Sequence, residues 1–343
     1  MDPITHVASG LVAGQALRNR LPAGRWVLPF TALFAWLPDV DILTSRLGVE
    51  ASLRLHRGLT HSIAGGAALA LLGVALARIF KVKISAGKAW LLAYAMLLLH
   101  DWLDVITTYG TQILQPFSNA RISLPAVFII DPGFTLALLA LFVTSLFWKR
   151  RRAALGLAGV VILFAYPLAS FGIGQAVAAH EARALRAGGE PVVAVTAHPD
   201  AFAPIYWKIV ADLGDRWEMR GVDLLDPSWA PEPQRFVKAD RAQMRAFGRT
   251  IPVFATYEWF ARFPYLVGGG PDAEGNLTYG DVRFLSINPL VAKVRNGGPS
   301  FALKAVLDGH GDLVRAIWGR HGKDVIFNPE GPAPPPHARA MTP

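Results

Sequence analysis

Six apolar segments fill the first half of this chain, and they constrain its fold more than any other feature of the sequence. They run from Pro3 to Leu17, Trp26 to Pro38, Ile63 to Phe80, Lys88 to Ile106, Val127 to Trp148 and Ala153 to Ala178. The last four come close to or exceed the ~20 residues that a membrane-spanning helix needs, whereas the first two are short enough to be interfacial or buried. The segments therefore predict an α-helical membrane bundle of about six helices, two of them short.

The composition supports a membrane protein. The chain has 343 residues, of which 52% are hydrophobic and 17% are charged, a balance too apolar for an ordinary soluble protein. Its net charge of +9 would suit nucleic acid, but the basic residues form short clusters beside the apolar segments, where they orient helices and contact acidic lipids. We expect membrane lipids as partners and no nucleic acid. The absence of cysteine excludes disulfides and thiolate metal sites.

Clustered cations in two linkers orient the predicted bundle. They are Arg78, Lys81, Lys83 and Lys88 in one linker and Lys149, Arg150, Arg151 and Arg152 in the next. The positive-inside rule places both linkers in the cytoplasm. Alternating the helices then puts the loops 39–62 and 106–126, and everything after residue 179, on the opposite side. We expect a multi-pass protein of the bacterial inner (cytoplasmic) membrane with an extracytoplasmic C-terminal domain.

Beyond Ala179 the sequence becomes mixed polar and apolar, with glycines, prolines and short alternating runs, which predicts a small α+β domain. The expected strands are Val192 to Thr196, Ile205 to Val210, Trp217 to Leu224, Asn276 to Leu285 and Phe301 to Leu307. The expected helices are Lys238 to Phe247 and Val253 to Phe263. The predicted domains are thus 1–179 for the helical bundle with its metal site, 180–327 for the α+β domain, and 328–343 for a disordered Pro-rich tail.

Histidines and aspartates gather at the predicted ends of the apolar segments, on the side opposite the basic linkers. His100 and Asp104 are four residues apart, so both side chains lie on one helix face and can hold one cation. Asp39 and Asp41 follow Pro38 and project to the same side if the chain is extended there. The stretch 56–62, which reads His-Arg-Gly-Leu-Thr-His-Ser, adds two imidazoles. This concentration predicts a metal site at a membrane surface.

Nitrogen and oxygen donors suit Zn²⁺, with Mn²⁺ or Fe²⁺ as alternatives if carboxylates dominate. The metal ligands that we assign are His6, Asp41, His56, His61, His100 and Asp104. The catalytic residues that we assign are Asp39, Asp104 and Arg57: a carboxylate acts as general base for a metal-activated water, and Arg57, together with Arg121, neutralises a phosphate. The expected reaction is hydrolysis of a phosphoester or other ester of a lipid-like substrate at the outer face.

Other interpretations of the same residues stay open. In a non-catalytic scaffold or partner-binding protein, the metal would only staple helix ends, with closed tetrahedral coordination. In a transporter, His100 and Asp104 would line a cation path, but charged residues would then lie in mid-span. Asp131, at the start of an apolar segment, also suits a helix N-terminus because of the helix dipole.

The motifs also have an order along the chain. They are Thr5-His6, Leu37-Pro38-Asp39-Val40-Asp41, the 56–62 stretch, His100 with Asp104, Ile130-Asp131-Pro132 and, more faintly, Trp207 and the stretch from Tyr279 to Phe284. This series resembles the YdjM-like family of inner-membrane metal-dependent hydrolases, which is distantly similar to zinc-dependent phospholipase C. The resemblance implies hydrolysis without fixing a substrate. It also implies a metal-site set of His6, Asp39, Asp41, His56, His61, His100 and Asp104.

Overall fold

The fold, taken from a computed structural model, has two regions. The structure describes residues 1–21, 24–201, 203–226, 228–288, 291, 300–320 and 323–329. A helical region with candidate membrane spans is followed by a region with two antiparallel sheets and short helices, which confirms the predicted class. Most of the predicted tail, from residue 330 onward, lies outside the described residues.

The N-terminal helices begin and end where the sequence supplies caps. They are α1 (Pro3–Leu17), α2 (Val27–Trp36), α3 (Val49–Leu55), α4 (Ile63–Leu69), α5 (Leu71–Ile79), α6 (Ala86–Val105), α7 (Pro132–Phe147) and α8 (Arg152–Ala187). Asp2 and Asp131 accept hydrogen bonds from the first backbone N–H groups of α1 and α7, each just before a proline. A 3-10 segment, Leu37–Leu47, continues directly from α2.

Two stretches of the described chain are long and apolar enough to cross a membrane by themselves. These are Val27–Leu47 and Lys149–Ala187, and the pair Val49–His61 and Ile63–Ile79, bent by 67°, makes a third if it counts as one span. The segments predicted to span the membrane at α6 and α7 are helical, but neither is among these candidate spans. The helix α7 has only 16 residues because it starts at Pro132, while the polar turn from His100 to Asp104 lowers the mean hydropathy of α6.

Small residues let α1 pack tightly between two neighbours. A Cβ atom at Gly10 would collide with the backbone of α2 at Thr31, and one at Gly156 of α8 would collide with the backbone of α1 at Ala16. Such close approaches are typical of helix pairs in membranes. They fix the position of α1 and therefore of its N-terminal turn.

The basic turns gather at one end of the bundle. Arg20, after α1, and Ala153, at the start of α8, line one cavity, and Arg25 and Lys81, after α5, line another. We call this the basic end. The start of α1, the end of α6 and the start of α7 lie at the opposite end, which we call the ligand end.

Two antiparallel meanders form the C-terminal sheets. The first contains β1 (Ala194–Pro199), β2 (Tyr206–Asp212), β3 (Arg216–Asp223) and β4 (Gln234–Val237); the second contains β5 (Pro264–Leu266), β6 (Leu277–Asp281), β7 (Leu303–Leu307), β8 (Leu313–Arg320) and β9 (Lys323–Phe327). Helices α9 (Arg241–Thr250) and α10 (Val253–Phe260) lie between the sheets in sequence. The predicted strands correspond to β1, β2, β3, β6 and β7, and both predicted helices are present. The sequence analysis did not predict β4, β5, β8 or β9.

The two regions contact each other at the ligand end. Helix α8 extends to Ala187, past the predicted boundary after residue 179, and Trp207 of β2 packs against its Gly174. Val49 and Leu53 of α3 belong to the same buried cluster as Phe254 of α10. The C-terminal region is therefore packed onto the loops that follow the ligand-bearing helices.

Candidate metal centre

Four side chains from three segments converge at the ligand end. They are His6 of α1, Asp39 of the Leu37–Leu47 segment, and His100 and Asp104 of α6, and one potential ligand atom from each lies within 4.8 Å of all the others. We call them the ligand group. The side chains of His6, His100 and Asp104 are fully buried, whereas that of Asp39 is 15% exposed.

Local sequence explains why these side chains meet. The Asp2 cap fixes the start of α1, so His6 lies in its first turns. Pro38 begins the 3-10 segment after α2 and brings Asp39 to the same level. His100 and Asp104 share one face of α6 because they are four residues apart.

Several ligand atoms of this site have no hydrogen-bond partner among the described residues. They are Nε2 of His6, of His100 and of the neighbouring His61, and also Oδ2 of Asp104. The Nε2 atoms of His6, His61 and His100 lie 3.3, 3.3 and 3.6 Å from the Asp104 oxygens. Buried polar atoms are normally paired, because an unpaired one costs about 1–3 kcal/mol. A divalent cation could be shared by the unpaired nitrogen and oxygen atoms of the ligand group, so the residues present fit Zn²⁺, Mn²⁺ or Fe²⁺.

Two of the three histidines that point into the group, His100 and His61, are held at their other ring nitrogen. His100 Nδ1 lies 2.8 Å from the carbonyl oxygen of Ala35, and His61 Nδ1 lies 3.0 Å from Asp41 Oδ2. Such contacts fix the tautomer and ring orientation of metal-binding histidines. In both residues they leave Nε2 directed at the Asp104 carboxylate.

Asp41 and His56 lie behind His61, one contact further from the ligand group. Asp41 Oδ1 is 2.7 Å from His56 Nδ1, and Oδ2 accepts hydrogen bonds from the Arg57 amide and the Thr60 hydroxyl, both at 2.9 Å. The Asp41 carboxylate is therefore occupied by the 56–62 stretch. The ligand roles of Asp41, His56 and His61 stay predictions, and of these three, His61 lies closest to the ligand group.

Arg57 makes an ion pair with the ligand group. Its Nη2 atom lies 2.9 Å from Asp104 Oδ1, and its Nη1 atom donates to the Thr107 hydroxyl at 2.9 Å. Its φ of 58° is in the left-handed region, a conformation that is unfavourable for a non-glycine residue and is held here by the bond to Asp41. The α-amino group of Met1 also contacts Asp104.

Arg121 forms hydrogen bonds to two segments at the ligand end, helix α3 and the loop after α6. It donates to the carbonyl oxygens of Leu53 at 3.1 Å and Gly110 at 2.8 Å. Its guanidinium lies 4.7 Å from the ring centre of Tyr109, and that of Arg57 lies 5.0 Å from the same ring. Burial lowers the pKa of Arg121 to about 10, so the side chain is still charged at neutral pH.

The sequence analysis did not predict Asp101 or Tyr109 at this site, whereas Asp131 was among the residues that it named. Asp101 is buried beside His100, and neither carboxylate oxygen has a hydrogen-bond partner among the described residues; an ionisable residue in an apolar helix was the available signal. No pattern singled out Tyr109. Asp131 lies outside the ligand group, where it caps α7 and accepts a hydrogen bond from Tyr166 at 2.7 Å.

Comparisons with known proteins concern the N-terminal half. The model of the family described as YdjM inner membrane protein matches residues 1–177. The uncharacterized protein YfhP of Bacillus subtilis (strain 168) is 27% identical over 146 residues, a match that covers 41% of this chain and 45% of that protein. No solved structure matches significantly. Because the family model covers more than half of its length, the chain belongs to the YdjM inner membrane protein family.

Proposed function

We propose that this protein is a membrane-bound, metal-dependent hydrolase that cleaves a phosphoester or other ester of a lipid-like substrate. The observation that carries the proposal is the convergence of unpartnered imidazole nitrogens and carboxylate oxygens in the buried ligand group. A pure packing role would not require several unpaired polar atoms to face one point, since each is costly to bury.

The proposed roles follow from the contacts. His6, His100 and Asp104, with His61, hold a divalent ion, Zn²⁺ by donor type with Mn²⁺ or Fe²⁺ as alternatives. When bound, the ion would polarise the ester and lower the pKa of water. Asp39 is the general base, because it is the one member of the ligand group with an exposed portion. Asp104 holds the metal and pairs with Arg57, whose charge favours an anionic substrate.

The proposed location is the outer face of the inner membrane. The membrane itself follows from the family and the candidate spans. The side is inferred from charge, because the basic end of the bundle belongs in the cytoplasm. The ligand end and the C-terminal region would then be extracytoplasmic.

The test uses detergent-purified protein loaded separately with Zn²⁺, Mn²⁺ or Fe²⁺. The probes are bis(p-nitrophenyl) phosphate and p-nitrophenyl butyrate. We expect metal-dependent cleavage of at least one probe, and a loss of at least about 100-fold in Asp39→Asn because the base is removed. Asp215→Asn, at a carboxylate that is 73% exposed in the C-terminal region, is the matched control. Cleavage of neither probe with any metal, or full activity in Asp39→Asn, would contradict the proposal.

A structural metal is the second candidate. It is favoured by the complete burial of His6, His100 and Asp104 and by the three separate segments that the ligand group joins. In that case a chelator would lower the unfolding temperature, while no ester would be cleaved by the metal-loaded protein.

A further inference from the structure

Exposed apolar side chains surround the ligand end. Five of them, each half or more exposed, are Ile4, Ile42, Leu43, Leu47 and Ile130; we call them the collar. The first turn of α1 lies beside the loop that carries Ile130, since the Asp2 amide donates to the Ile129 carbonyl oxygen at 3.1 Å. The other three collar residues follow Asp39 in the same 3-10 segment.

The Leu37–Leu47 segment turns polar residues toward the protein and apolar residues away from it. Asp39 faces the ligand group and Asp41 contacts His61, while Ile42, Leu43 and Leu47 point away from the protein. A cluster of exposed apolar side chains marks a surface that meets something other than water. The same segment completes the candidate span Val27–Leu47, so a bilayer is the natural neighbour.

Helix lengths give the depth of the ligand group. The first turns of α1 and α7 lie at one level, because the Thr5 and Thr135 hydroxyl oxygens are 2.6 Å apart. The 16 residues of α7 span ~24 Å between the basic linker and Asp131. This distance is shorter than the ~30 Å hydrocarbon thickness of a bilayer.

The collar residues occupy the part of the hydrocarbon thickness that helix α7 does not span. If Arg152 lies at one bilayer surface, the ligand group lies below the opposite surface, and the collar fills the remaining hydrocarbon. Arg46 is exposed directly beside Leu47. A cation next to an apolar surface matches a lipid with an anionic phosphate headgroup, because the guanidinium can reach the headgroup while the neighbouring side chains contact acyl chains.

We propose that the collar is embedded in the leaflet at the ligand end, and that a bilayer phospholipid reaches the ligand group sideways across the Leu37–Leu47 segment to present its phosphoester. The embedding of the collar stands on the depth argument alone. The identification of the phospholipid as substrate rests on the proposed hydrolase function.

Depth is measured without any assay of activity. The chain has no native cysteine, so single-cysteine variants can each carry one nitroxide label in vesicles of phosphatidylethanolamine and phosphatidylglycerol. The test positions are Leu43→Cys and Leu47→Cys. The matched controls are Leu157→Cys on the candidate span α8 and Leu225→Cys in the C-terminal region, at sites 57% and 77% exposed. We expect the collar labels to behave like Leu157, accessible to oxygen and shielded from a water-soluble nickel chelate.

Two outcomes would overturn the embedding. Collar labels that behave like the Leu225 label would lie in water. Spin–spin broadening at Leu43 and Leu47 that disappears on dilution with unlabelled protein would show that a second copy of the chain covers the collar instead of lipid.

Substrate access is tested by comparing two substrates. In Leu43→Gln/Leu47→Gln we expect cleavage of phospholipid in vesicles to fall at least about tenfold, with cleavage of soluble bis(p-nitrophenyl) phosphate unchanged. The control is Phe80→Gln, at a side chain 74% exposed at the basic end. An equal loss on both substrates, or on neither, would overturn sideways access. If the wild type cleaves neither substrate, nor p-nitrophenyl butyrate, while the collar labels lie in lipid, the proposed function fails and the embedding stands.

Discussion

Two buried polar clusters of this molecule differ in how their atoms are paired. In the C-terminal region, the Arg283 cluster consists of Lys208, Asp281 and Arg283. Lys208 Nζ donates to the carbonyl oxygens of Val282, Arg283 and Leu285. Arg283 pairs with Asp281 at 2.8 Å, and Asp281 also accepts backbone N–H groups. Every charge in this cluster has its partners within the protein.

The ligand group is also buried, but several of its polar atoms have no hydrogen-bond partner among the described residues. Its imidazole nitrogens approach the Asp104 carboxylate without hydrogen bonds, although Arg57 pairs with that carboxylate on one side. Burial alone therefore does not identify a site: a completed network serves the fold, whereas converging ligand atoms that lack partners could hold a metal ion.

The largest effect that the comparison predicts is on stability. Arg283→Met should lower the free energy of unfolding by about 3–5 kcal/mol, because the Asp281 charge stays buried without its partner. Denaturant unfolding in detergent measures it, with metal content measured on the folded fraction. Arg245→Met, at a site 57% exposed in a pair with Glu258, should change stability by less than about 1 kcal/mol. Loss of metal together with loss of stability would show that the two clusters are not independent.

Removing one member of the ligand group should act on metal binding. In His100→Gln we expect the affinity for Zn²⁺ to fall by more than about 100-fold, since a donor nitrogen is lost. Competition with a chromogenic chelator measures the affinity. His180→Gln, at a histidine whose side chain is 74% exposed, should bind as wild type does. Equal affinity in wild type and His100→Gln would remove the distinction between the clusters.

Asp41 lies one contact away from the ligand group and should have a smaller influence. Asp41→Asn should weaken Zn²⁺ binding by about 10- to 100-fold, because His61 and His56 lose the carboxylate that orients them. The same competition assay checks it, with Asp215→Asn as control. A loss as large as that of His100→Gln would instead make Asp41 a direct ligand, as the sequence analysis assigned it.

The smallest effect concerns pH and the C-terminal region. Burial, together with the cations of Lys208, Arg262 and Arg283, lowers the pKa of His198 well below its ordinary 6.5. The unfolded chain then binds a proton that the folded chain excludes, so stability falls as pH drops below 6.5, by up to about 1.4 kcal/mol per pH unit. In His198→Phe this part of the slope should vanish in denaturant unfolding between about pH 7 and pH 5. Identical slopes in both proteins would contradict the assignment.

The sequence predicted elements where periodicity and caps were strong. The helices of the six apolar segments, α9, α10 and the strands β1 to β3 follow from apolar runs, prolines and alternation, whereas α3 lies in the stretch 39–62 that was predicted to be a loop. The edge strand β4 and the three-residue β5 were missed because they are short, and β8 was missed because its apolar and polar residues do not alternate regularly. The shortening of α7 depends on Asp131, which ends the preceding loop as a cap.

For the site, residue spacing predicted which side chains lie together, but it did not predict which of them belong to the ligand group. The i, i+4 spacing of His100 and Asp104 predicted a shared face, and the Asp39 and His6 motifs predicted nearby donors. Whether Asp39 or Asp41 faces the ligand group depends on the turn after α2, because a 3-10 segment rather than an extended strand follows Pro38. The contacts of Tyr109 with Arg57 and Arg121 depend on tertiary packing and have no local signal.

Elemental analysis of the metal content of detergent-purified protein shows directly whether the ligand group holds an ion. His6 and His198 form a matched pair, because each is a buried histidine with an unpartnered Nδ1 atom, one in each region. Our account predicts stoichiometric zinc, manganese or iron in wild type and in His198→Asn, and its loss in His6→Asn. Metal-free wild-type protein, or equal metal in His6→Asn, would contradict it.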